Sequence, residues 1–176
     1  MHDLSNEPEP PPIPPELHSD YTDQPFKHCS RCGESLHDFE GGFQVSKAYK
    51  QGECVFEYAL CDHCRAGLME EFSEKSKKNL MDFQNTSVSF DRGLDGCSVC
   101  GVKRSGSPMK EFVVTGICEG DRLVHGIMVC GKCGEKTQEL ISTHTRDTWR
   151  RFISENFPGP PADAAPLPDP VGVPVF

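Results

Sequence analysis

Eight of the ten cysteines stand in four Cys-x-x-Cys pairs: Cys29/Cys32, Cys61/Cys64, Cys97/Cys100 and Cys130/Cys133. Two cysteines at that spacing sit on a tight knuckle whose sulfurs converge on one point, and two knuckles together complete a tetrahedral thiolate cage for a borderline-soft divalent ion. The gap between the first two pairs is 28 residues and between the last two 29, so the pattern is laid out twice. Full sets of four sulfurs leave no position for the water that a catalytic zinc activates. The chain also has no glycine-rich phosphate loop with its lysine and no serine or cysteine nucleophile motif. The expectation is metal binding without enzymatic chemistry.

The elements that must position these sulfurs repeat as well. A shift of 68 to 69 residues lays "CSRCG" at 29–33 on "CSVCG" at 97–101, Phe43 on Phe112, Val45 on Val114, Phe72 on Ile141, Leu80 on Trp149 and Phe83 on Phe152. Phe43, Val45 and Tyr49, a turn at Gln51-Gly52, then Cys54, Phe56, Tyr58 and Leu60 have the period of two that marks a β-hairpin. Phe112, Val114 and Cys118, a turn near Gly120, then Leu123, Ile127 and Val129 repeat it. After each second knuckle the period becomes helical: Leu68, Phe72, Leu80 and Phe83, then Ile141, Thr145, Trp149 and Phe152. The order knuckle, hairpin, knuckle, helix puts Cys61/Cys64 and Cys130/Cys133 at helix starts, where free N–H groups and the helix dipole favour thiolate.

This arrangement resembles the treble-clef and zinc-ribbon-like group of four-cysteine zinc modules, twice in tandem over about 29–83 and 97–152. The resemblance implies one zinc on Cys29, Cys32, Cys61 and Cys64 and a second on Cys97, Cys100, Cys130 and Cys133, hence two Zn2+ as cofactors. Cross-bracing of the first and third knuckles is the alternative, disfavoured because a helix separates Cys64 from Cys97. The expected fold class is a small metal-organised α+β protein of two tandem modules. Iron is the competing metal, since "CSVCG" with "CGKCG" also resembles rubredoxin-type sites, although a long amphipathic helix after each site does not. "LCDHC" has some likeness to HNH-type nucleases, which also need a catalytic histidine. His37-Asp38 is the nearest candidate, module two has no counterpart, and His144 stands alone.

Composition separates modules from ends. Fourteen of the fifteen prolines lie in residues 1–25 or 158–176, and these ends carry eight acids and no lysine or arginine. The core therefore balances 19 acids against 18 bases, and most of the net charge of −9 belongs to the ends. Proline-rich, like-charged segments bury too little apolar surface to offset ordering entropy, so the expected division is disordered tails at 1–25 and 158–176 flanking modules at 26–90 and 91–157. "PEPPPIPP" and the terminal "VGVPVF" are weak candidate peptide ligands. The start "MHDLSNEPEP" has neither a basic region nor an apolar run, and no stretch reaches the ~20 apolar residues of a membrane span, so the expected location is cytoplasmic, where ten cysteines point to metal rather than disulfides.

The remaining residues are weighed against plainer roles. Cys54 and Cys118 face Leu123 and Tyr49 in the superposition and are expected to pack as small hydrophobes. His28 and His63 adjoin complete sulfur sets and are expected in solvent or behind the ligands. His125 matches Phe56 and is expected in the core. Alternation in the second hairpin puts Val113, Ile117, Val124 and Met128 on a second apolar face, to be covered by module one or by a partner. The expected function is that of an adaptor or accessory protein binding another protein. Nucleic acid is the rival partner: module two has ten bases against nine acids, yet the near-neutral core lacks a strong basic footprint.

Overall fold

Alternating aromatic and β-branched residues form two hairpins in the computed structural model, which describes residues 8–37, 41–104 and 111–156. Strands β1 (Phe43–Lys50) and β2 (Glu53–Cys61) make the first, β3 (Glu111–Glu119) and β4 (Arg122–Cys130) the second. Gln51 and Gly52 both have positive φ (54° and 82°), the pattern of a tight two-residue turn that matches strand twist. Gly120 alone does so in the second turn, at φ 59°. Each hairpin carries a bulge at the same place in the repeat, opposite Ala48/Tyr49 and Ile117/Cys118, which leaves Val55 and Val124 as the extra residues.

The hairpins join into one antiparallel sheet in the order β2-β1-β3-β4. Its centre is the β1·β3 pair, where Ser46 faces Thr115 and their hydroxyls lie 2.9 Å apart. The two repeats thus share a sheet and one core, rather than each closing a core of its own.

Each helical segment is broken in two. Helix α1 (Asp62–Glu70) is followed by α2 (Glu74–Ser87), and α3 (Gly131–Gln138) by α4 (Thr143–Asn156). The breaks fall at serines that start new helices: Ser73 Oγ accepts from the Ser76 amide at 3.2 Å, and Ser142 Oγ from the Thr145 amide at 3.2 Å. The N–H of each capping serine is satisfied by the other helix. Ser73 N donates to Thr145 Oγ1 at 2.9 Å, and Ser142 N donates to Ser76 Oγ at 2.8 Å. A capping box ordinarily closes on its own helix; here the two boxes are exchanged. The aromatic stripe of α4 crosses over too. Trp149, 0% exposed, meets the edges of Phe56 (6.3 Å) and Tyr58 (5.7 Å) and stacks on Phe152 at 5.2 Å. Each hairpin meets the first helix of its own repeat, α1 or α3, whereas α4 of the second repeat packs on β2 of the first.

The opposite face of the sheet is closed by the N-terminal segment, which corrects the expectation of disorder for residues 8–25. Ile13 and Leu17 are buried, with a 3-10 turn at Pro15–Leu17. A Cβ on Gly116 would stand 2.5 Å from Leu17 Cδ1, so a larger residue there would force the Leu17 side chain to shift. The proposed tail at 158–176, with "VGVPVF", and residues 1–7 lie outside the described residues.

Candidate metal centres

The knuckles bend where glycine permits. Gly33 and Gly101 follow the second cysteine of their pairs with φ 76° and 81°, and each donates its N–H to the carbonyl of the first cysteine at 2.9 Å. The second knuckles begin α1 and α3, with Cys61 and Cys130 at the N-cap positions. The chain brings together Cys29, Cys32, Cys61 and Cys64 as one group and Cys97, Cys100, Cys130 and Cys133 as the other, the sulfurs of each lying within 4.8 Å of one another. First and second knuckles pair within a repeat, and the cross-braced arrangement is not formed.

These distances fit a metal. Four sulfurs about 2.3 Å from a central zinc in tetrahedral geometry stand about 3.8 Å apart; Cys32 and Cys61 are separated by 3.9 Å, Cys100 and Cys130 by 3.7 Å. Disulfide sulfurs would be about 2.05 Å apart, and all ten cysteines are free. Backbone donors are already aimed at sulfur. Cys61 N donates to Cys29 Sγ at 3.5 Å, Cys64 N to Cys61 Sγ at 3.5 Å, and Cys130 N to Cys97 Sγ at 3.4 Å. Burial acts to raise the thiols of Cys29 and Cys97, but amide donors outweigh it: those of Cys32, Cys61 and Arg31 bring Cys29 down to about 7, and those of Cys100, Cys130 and Val99 bring Cys97 down to about 6. Burial and neighbouring sulfurs push Cys64 and Cys133 up, so four thiolates at neutral pH need a cation among them. In each group only Cys32 or Cys100 is exposed. The arrangement can hold two metal ions.

Each first knuckle also grips an edge of the sheet. Ser30 N donates to the Ala59 carbonyl at 2.7 Å on β2, and Ser98 N to the Met128 carbonyl at 2.8 Å on β4. No protein-family model, curated protein or solved structure matches the chain. The cysteine geometry therefore carries the functional reading. Among the described residues no helix is long and apolar enough to cross a membrane.

The other sequence candidates are dispersed. Cys54 and Cys118 are buried and burial raises both thiols to about 12, with the Glu57 charge adding to the effect at Cys54, so they pack as neutral groups. His28, His63 and His37 are exposed, and Asp38 lies outside the described residues. His144 is exposed, with Nε2 2.9 Å from the Glu71 carbonyl. His125 is not a core residue: it is exposed at the β4 edge, its ring 6.3 Å from that of Phe90.

Val113, Ile117, Val124 and Met128 do not share a face. The bulge at Val124 shifts the register so that Val113 faces Val129 and Ile117 faces His125, whereas Met128 faces Val114 on the opposite side. The same bulge in the first hairpin separates Phe56, Tyr58 and Leu60 from Phe43, Val45 and Tyr49. Met128 is 0% exposed, so it belongs to the core of this chain.

What sequence reasoning missed is a buried charge cluster. Lys47, 1% exposed, faces Glu57 across β1 and β2 with its Nζ 3.7 Å from that carboxylate. It also donates to the His18 carbonyl at 2.6 Å and to Asp20 Oδ1. Ser19 Oγ donates to Glu57 Oε1 at 2.6 Å, and the Asp20 amide to Glu57 Oε2 at 2.9 Å. Asp20, Cys54 and Glu57 approach one another as metal ligands would, but the lysine ammonium is already the cation among them. The signal was Lys47 itself, a cation in line with Phe43, Val45 and Tyr49 on an inward face.

Proposed function

We propose that this protein is a non-enzymatic adaptor or accessory protein in which two Zn2+ ions hold a protein-binding surface in shape. Each repeat is read as a treble clef, with a knuckle, a hairpin and a second knuckle at a helix start. Zinc is favoured because a closed tetrahedral set of four thiolates suits it and leaves no open position for chemistry. Iron is the alternative for the same donors.

The observation that carries the choice of partner is the use of the chain's cations. Lys47, Lys50, Lys77, Arg31, Arg104 and Arg122 are each within ion-pair distance of an acid of the same chain. A polyanion is bound by a strong basic footprint, and a chain of net charge −9 in which six of the eighteen lysines and arginines already face carboxylates is poorly suited to that. A protein partner suits such a surface better than nucleic acid.

Elemental analysis of the purified chain is expected to return two zinc atoms per molecule and no visible absorption band; a red protein would establish iron. Heparin chromatography and mobility shifts with DNA and RNA are expected to show no retention at physiological salt. Salt-dependent binding with a steep slope would transfer the assignment to nucleic acid.

A further inference from the structure

The N-terminal segment lies on the sheet as a ligand lies in a site. Its acids meet cations of the body one after another: Glu9 with Arg122 (3.8 Å), Glu16 with Arg104 (3.6 Å) and Asp20 with Lys47. Between them Ile13 is buried and Leu17 enters the space over Gly116. The backbone adds to the sheet edge, with Ile13 N donating to the Asp121 carbonyl at 3.0 Å and Leu123 N to the Pro11 carbonyl at 2.8 Å. That is how an extended peptide augments a sheet: main-chain bonds supply the grip and side chains the selection.

The grip is of an exchangeable kind. Pro10, Pro11, Pro12 and Pro14 hold the stretch before the 3-10 turn at Pro15–Leu17 extended beforehand, which lowers the entropy lost on docking for any peptide of this composition. Apolar burial comes chiefly from two side chains, and two of the three ion pairs lie at the partly exposed rim, where water and salt screen them. A tethered segment needs little intrinsic affinity, because its effective concentration is on the order of millimolar.

We propose that this groove is a peptide-binding site, held closed in cis by residues 9–20, which accepts an extended acidic segment of a partner protein. The segment would carry two aliphatic side chains four residues apart and a carboxylate three residues beyond the second, the spacing of Ile13, Leu17 and Asp20. Charge complementarity selects it: the groove presents Arg122, Arg104 and Lys47 in series. The inference rests on the protein-partner reading. A failed peptide titration removes the groove alone, whereas retention on nucleic acid removes the reading itself.

The test uses the full chain with Leu17→Ala, which loosens the cis segment and leaves the groove intact, and a fluorescent peptide of residues 8–21 as the probe. Anisotropy is expected to give a Kd for the variant roughly tenfold or more below that for the unaltered chain, since the tethered competitor is weakened. The same peptide carrying Leu17→Ala is expected not to bind. Hydrogen exchange on the unaltered chain gives an independent reading: the amides of Ile13 and Asp20 should exchange through an opening that spares Val45 and Val114. No peptide binding to a folded, metal-loaded variant overturns the proposal. So does exchange of segment and sheet in one common event, which would make the segment a permanent part of the core. A dimer with exchanged segments, seen by light scattering, would overturn it in favour of a second copy as the occupant.

Discussion

The two faces of the sheet are closed by opposite means. On one face the repeats act on each other: α4 covers Phe56 and Tyr58 of the other repeat, and Ser73 and Ser142 exchange their capping partners. On the other face a single unrepeated segment lies across both. The residues beneath it differ accordingly. The repeat shift carries Lys47 onto Gly116 and Glu57 onto Gly126, and both pairs stand directly opposed across their hairpins. In the first repeat the position holds a buried ion pair, in the second two glycines over which Leu17 and Leu94 pack. Symmetry is kept where halves must fit each other, and lost where one outside segment must be gripped in one direction.

Metal removal tests what the two faces have in common, and its effect is the largest. A structural zinc contributes apparent binding energy of about 10–16 kcal/mol in small zinc modules. Because the repeats share one sheet, chelation or Cys97→Ser is expected to unfold both hairpins in one transition, followed by circular dichroism. Separate melting of the second repeat alone would break the argument for a common core.

Substitutions then separate the faces. Lys47→Ala leaves Glu57 buried without its cation and is expected to cost about 3–5 kcal/mol in denaturant unfolding. Trp149→Ala removes a wholly buried indole and is expected to cost about 3–5 kcal/mol. The two should differ in exchange: Lys47→Ala speeds the amides of Ile13 and Asp20 selectively, Trp149→Ala those of the helices. A smaller loss of about 1 kcal/mol is expected for Ser76→Ala, which strands the half-buried amide of Ser142. Its signature is faster exchange at the start of α4, the helix opposite the mutated one.

The smallest effect is electrostatic. Burial alone would lower Lys47, but its hydrogen bond to Asp20 and its contacts with Tyr49 raise it above the ordinary 10.5. A raised lysine stabilises fully below its unfolded value and loses that contribution as pH rises through the folded one. The Lys47 Cε resonance is therefore expected to titrate above 10.5, and the segment to loosen only beyond that pH. Titration at or below the ordinary value would mean that the segment contributes no net charge stabilisation.

Cysteine spacing made the metal groups legible, because ligand convergence is a local property of each knuckle, and the period of two located all four strands. The faces were harder. Counting outward from a two-residue turn sets Ile117 opposite Val124, and a single extra residue there moves every later side chain of β4 to the other side. Period shows which stripe of a helix is apolar but not which hairpin it meets, so the crossing of α4 was hidden by the likeness of the repeats. The N-terminal segment was misread for a third reason. Its composition is that of a disordered chain, and its order comes from Gly116, Lys47 and Arg104, far away in sequence.

Ser30 and Ser98, held in place by their knuckles, occupy hydrogen-bonding groups of Ala59 and Met128 on the two outermost strands, while Pro11 and Ile13 occupy those at the far end of β4. Outer strands with vacant amides and carbonyls are templates for adding another chain. Ions held at the knuckles would thus also guard against polymerisation. A chain stripped of metal at high concentration would join its neighbours margin to margin into fibrous aggregates, and turbidity after chelation would rise steeply with protein concentration.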